Sequence, residues 1–113
     1  MGLITAFLRF ARPAAIHQQA VIAQWELPTE YCDLTDVRLL EDALRRVMPS
    51  ASELDGHESG NHELILYMYG SSADEIWAAT RSILATTSFG HGRATLRYGT
   101  AEDRTASQAV RKF

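Results

Sequence analysis

Between residues 57 and 63 the chain reads His57-Glu58-Ser59-Gly60-Asn61-His62-Glu63, bringing imidazoles and carboxylates, the usual ligands of a divalent metal, close together. The spacing is not that of the His-Glu-x-x-His zinc motif. The histidines are five residues apart, and Gly60 interrupts any helix that could align them. Polar side chains flanking an exposed turn account for the same residues, so no metal or other cofactor is expected. Cys32 is the only cysteine, which excludes an internal disulfide. As a nucleophile it would need His17, His57, His62 or His91 brought to it by the fold, and nothing beside it in sequence activates a thiol. His91, in Gly90-His91-Gly92, reads as part of a turn. The chain has no Gly-x-Ser-x-Gly elbow, phosphate loop or dinucleotide fingerprint. No catalytic residue is assigned.

Two features remain that could support binding. Tyr67 and Tyr69, with Arg93 and Arg97, are the residue types that stack bases and meet phosphates on an RNA-binding sheet. The Lys/Arg-Gly-aromatic signature is missing, and a net charge of −3 opposes a phosphate backbone, so packing or a protein interface is the expected role of these tyrosines. The second feature is acidic. Glu53, Asp55, Glu58 and Glu63 form a dense group within a stretch, Glu26 to Glu75, that holds twelve acids against three arginines. From Ile76 onward the balance reverses, with six basic residues against Glu102 and Asp103. Segregation of this kind gives a molecule two electrical poles, and an acidic surface suits the inhibition of an enzyme whose cleft is basic.

The elements that position these residues follow from periodicity. Ala20 to Leu27 alternates, with Val21, Ala23, Trp25 and Leu27 on one face, and Pro28 ends it as a strand. Leu34 to Met48 changes to a helical period through Val37, Leu40, Leu44 and Val47, with Asp33 as N-cap, Pro49 as stop, and Glu41–Arg45 and Asp42–Arg46 as exposed pairs. Ser52 to Glu58 and Glu63 to Tyr69 form a hairpin around Ser59-Gly60-Asn61-His62. Its second arm is apolar on both faces and belongs in the middle of a sheet. Ser72-Ala73-Asp74-Glu75 has capping-box spacing and opens a second helix with Ile76, Thr80, Ile83 and Leu84 inward, ending at Phe89-Gly90. Arg93 to Tyr98 alternates again as the last strand.

This order, β-α-β-β-α-β, predicts an α+β fold of the ferredoxin-like kind, an antiparallel sheet of order 4-1-3-2 with two helices on one face. The domain spans 20–99. Residues 1–19 form an N-terminal extension in which Leu3, Ile4, Phe7, Leu8 and Ala11 share one face of a short helix before Pro13, and residues 100–113 form a polar, loose tail. A chain of 113 residues has room for one core and no second domain. No apolar run approaches the ~20 residues needed to span a bilayer. Arg9 and Arg12 interrupt the run where a secretory signal would continue, and Ala6 stands where myristoylation wants Ser or Thr. A reducing cytoplasm is the expected compartment.

Leu39-Leu40-Glu41-Asp42-Ala43-Leu44, Glu53-Leu54-Asp55-Gly56-His57-Glu58, Tyr67-Met68-Tyr69-Gly70, Ala73-Asp74-Glu75-Ile76 and Leu96-Arg97-Tyr98-Gly99 together resemble small bacterial orphan α+β proteins of the kind that includes immunity proteins paired with polymorphic toxins. The resemblance covers Ala20 to Gly99. It implies a non-enzymatic module that binds and neutralises a toxin. The expected partner is a basic toxin or enzyme, not nucleic acid or membrane, met through Glu53, Asp55, Glu58 and Glu63 by a monomer or homodimer. A competing expectation is a dimeric α+β barrel, enzyme or small-ligand binder, with His17, Trp25, Tyr67 or His91 lining a cavity between two sheets.

Overall fold

The computed structural model describes residues 19–28, 33–100 and 102–113. Its elements are β1 (Gln19–Glu26), α1 (Leu34–Val47), β2 (Glu53–Gly60), β3 (Glu63–Gly70), α2 (Ala73–Ala85), β4 (Gly92–Arg97) and β5 (Gln108–Lys112). The class is mixed α+β, as expected. The sheet differs from expectation: it has five antiparallel strands in the order β2-β3-β1-β4-β5, not four in the order 4-1-3-2. The four expected strands keep their neighbours, and the fifth is added beyond β4, where the chain should have been a loose tail. Gln108–Lys112 is polar because it is an edge strand: its hydrogen bonds come from the backbone, and three of its five residues, Arg111, Lys112 and Gln108, need no core contact.

Local signals explain most element ends. Asp33 caps α1, its Oδ1 accepting from the Thr35 amide at 2.8 Å. Asn61 and His62 form the two-residue turn between β2 and β3, with φ of 50° and 62°, the left-handed pair that the right-handed twist of a tight hairpin demands. Ser72 caps α2 by accepting from the Glu75 amide at 3.2 Å. Ser72→Ala should therefore destabilise the chain by about 1 kcal/mol and speed hydrogen exchange at the Glu75 amide. Unaltered exchange there would mean the cap is not what holds this helix start. α2 ends at Ala85, short of the expected Phe89-Gly90, because the Thr86 hydroxyl bonds back to Ser82 and Ile83 carbonyls and closes the last turn.

Both helices pack on one face of the sheet. Val37, Leu40 and Leu44 of α1 and Ala73, Ile76 and Leu84 of α2 join Val21, Ala23, Trp25, Leu64, Leu66, Met68, Ala94 and Leu96 in a single core. Val47, expected in the stripe of α1, is exposed at the helix end. Glu41 departs from expectation in the other direction. It is 7% exposed, and its Oε2 lies 3.1 Å from His57 Nδ1 on β2, while Arg45 pairs with Asp42 instead. The one-residue register shift between Leu54 and Gly56 puts His57 on the helix face, opposite Leu66, and so within reach of α1.

Candidate functional site

Residues paired across a sheet share a face, so the register identifies what the side away from the helices displays. One row runs Glu53, Tyr69, Ala20, Arg97, Gln108; the next Gly56, Tyr67, Ile22, Thr95, Val110; a third Glu58, Ile65, Gln24, Arg93, Lys112. Each row starts at the β2 edge and ends at the β5 edge. The acids therefore stand on one border, the bases on the other, and an apolar and aromatic strip separates them. At about 4.8 Å per strand, Glu58 and Lys112 are on the order of 19 Å apart, well beyond the Debye length of about 8 Å at physiological salt, so the two borders act as separate poles.

The expected partner-binding residues are strung along the β2–β3 hairpin and do not form one cluster: Glu53 lies opposite Tyr69 at one end, and Glu63, on the inner strand β3, lies opposite Gly60 at the other. Glu53 and Glu58 project to the far face from β2, Glu63 begins β3, and Asp55 lies at the register shift. Two of them are oriented by neighbours. The Tyr67 hydroxyl donates to Glu58 Oε2 at 3.0 Å, and Gln24 Nε2 donates to Glu63 Oε1 at 3.1 Å. Glu53, Asp55 and Glu58 all take part in further interactions, as do Tyr67, Tyr69 and Arg97.

The structure separates several other groupings. His57 pairs with Glu41 on α1 and His62 is exposed in the hairpin turn, so the two histidines of the 57–63 segment stand in different surroundings. Among the described residues, no three of His, Cys, Asp and Glu come together as a metal site. Trp25 and Tyr67, offered as lining of one cavity, lie on opposite faces of the sheet, and His91 is exposed in the loop before β4. Cys32 and His17 lie outside the described residues. Tyr67 and Tyr69 do share the far face, yet each is only 1% exposed, which leaves no ring surface for a base to stack on.

Arg97 is the residue whose role the sequence conceals. It was grouped with Arg93 as a surface cation, but it is 4% exposed, and its Nη2 donates to the carbonyls of Thr100, at 3.1 Å, and Asp103. These bonds hold the loop that returns the chain to β5. Asp103 closes the same loop by accepting from the Thr105 hydroxyl (2.7 Å) and amide (2.9 Å), and those donors hold its carboxyl below the usual range. On the helix side, Tyr98 donates to Asp74 at 2.7 Å, and that bond raises its phenol above the ordinary value, since ionisation would set two negative charges together. Asp103-x-Thr105 is the signal that could have disclosed the turn. Nothing in sequence marks Arg97 as its clamp.

No family model, curated protein or solved structure matches the chain. Among the described residues, no helix is long and apolar enough to cross a membrane.

Proposed function

We propose that this chain is a non-enzymatic protein-binding module of the immunity type, which neutralises a basic bacterial toxin or enzyme in the cytoplasm by docking through its acidic border. In this reading the βαββαβ portion is a ferredoxin-like unit lengthened by β5. The supporting observation is that Glu53, Asp55 and Glu58 line the edge strand β2 with Glu63 on β3 beside it, while Arg93 and Lys112 lie at the opposite border of the sheet. A rigid sheet holding carboxylates in fixed positions loses little entropy on docking, and like-signed charges on its rim steer a cationic partner into register.

The test begins with affinity capture of the partner from the source cells and proceeds to association rates. Asp55→Lys with Glu58→Lys should slow association, most at low salt, where exposed charges are least screened. Reversal of Arg93 and Lys112 to Glu should leave the rate nearly unchanged. Arg97 is unsuitable as the control because its substitution would release the β5 loop. A larger effect from the basic-border variant would place docking on the wrong side, and no effect from either would reduce the acids to solvated surface.

A further inference from the structure

Gly92 and Phe113 exchange both backbone hydrogen bonds, at 3.1 and 3.0 Å, so the next pair along the β4–β5 ladder, Arg93 with Lys112, is of the non-hydrogen-bonded kind. In such a pair the Cα atoms stand only about 4.5 Å apart, and the two side chains leave the same face at their closest. Like charges placed directly opposite repel and weaken the ladder. Among the described residues nothing offsets that repulsion, since neither Arg93 nor Lys112 has a side-chain acceptor or a carboxylate partner. Glu63 accepts from Gln24 at 3.1 Å instead, and Glu26 forms no ion pair with either cation. Two exposed side chains could simply turn apart into water. Here both line a single hollow of about 260 Å³ at this end of the far face, together with Gln24, Glu26, His91 and Gly92.

We infer that this hollow binds a small oxyanion, a phosphate or carboxylate group held between the Arg93 guanidinium and the Lys112 ammonium. The Arg93 fork matches two oxygens of such a group, and Lys112 adds a point charge from the facing strand. His91 brings a ring N–H, which either tautomer carries. Glu26 restricts the ligand to one anionic group, because a second would meet its carboxylate, and it accepts from a hydroxyl or ammonium beside the anion. The volume falls below the ~300–1,000 Å³ of pockets that enclose drug-sized ligands, so the occupant is small. An anion here turns the cross-strand repulsion into two attractions. The inference stands independently of the immunity reading, since docking through β2 uses the opposite border and either can fail alone.

The test titrates the isotope-labelled full chain with sodium phosphate and, separately, sodium acetate, each against sodium chloride at equal ionic strength, and follows the amide resonances. Saturable shifts confined to Gln24, residues 91–93 and residues 111–113 are expected with at least one of the two, and the one that binds more tightly identifies the group. Arg93→Gln or Lys112→Gln should weaken binding by roughly tenfold or more, the loss of one charge-assisted hydrogen bond. Arg104→Gln, which removes the same charge from an exposed loop residue, should leave it unchanged. Thermal unfolding supplies a second readout: in chloride Lys112→Gln should melt no lower than the intact chain, because the repulsion is gone, and the binding anion should raise the melting temperature of the intact chain only. Shifts no different from those in chloride, shifts centred elsewhere, or an equal response in Arg93→Gln and Lys112→Gln would each overturn the assignment.

Discussion

Trp25→Ala is expected to destabilise the protein by about 3–5 kcal/mol, the cost of truncating a large aromatic in a packed core. Trp25 is fully buried, sits on the helix face of the central strand, and meets Phe113 edge-on at 5.2 Å and Phe89 at 6.0 Å between ring centroids. No neighbouring chain group can fill the space, because those rings are held by separate elements. Trp25→Phe should behave differently. Among the described residues the buried indole Nε1 has no acceptor, so the smaller ring loses contacts but also removes an unsatisfied donor, and the two effects offset within about 1–2 kcal/mol. Chemical denaturation of both variants checks the argument, and equal losses would show that packing around the indole does not set its contribution.

Deletion of residues 108–113 should be comparably damaging, although half of its side chains are polar. It would remove the whole β4–β5 ladder, expose β4 as a new edge, and strip Phe113 from Trp25 and from Trp77, whose ring centroid lies 6.3 Å away. Phe113 is also anchored through its backbone, which exchanges hydrogen bonds with Gly92 at 3.0 and 3.1 Å. Phe113→Ala separates the ring from the strand. At an intermediate burial it should cost about 2–3 kcal/mol, below the range for a fully enclosed ring, with β5 still paired. A truncated chain that melts like the intact protein would show that β5 is dispensable to the core.

Gly92 shows why the C-terminal strand escaped sequence reading. Read alone, Gly90-His91-Gly92 is a turn. In the fold, a Cβ at Gly92 would stand 2.5 Å from the Gln24 carbonyl and 2.6 Å from the Phe113 ring, so the glycine is the space through which that ring reaches Trp25. The requirement exists only once three distant segments have met. The same holds for Arg97, whose acceptors are carbonyls, groups every residue possesses and no pattern distinguishes. Glu41 is a similar case. Its i,i+4 spacing to Arg45 describes a surface pair, and only the register shift in β2 supplies His57 as the alternative.

What the amino-acid sequence determined by itself was local: the period of most amphipathic elements, the caps at Asp33 and Ser72, a hairpin turn within Ser59-Gly60-Asn61-His62, and the inward face of Trp25. These depend on residues within a turn or two of one another, where backbone sterics and hydrogen-bond geometry act directly. The tertiary structure decided the rest, namely which polar residues were withdrawn from water, which edge was extended by a fifth strand, and how scattered acids and bases became two borders of one sheet. Those outcomes depend on register between segments distant in the chain, and a shift of one residue would have sent every side chain of a strand to the other face.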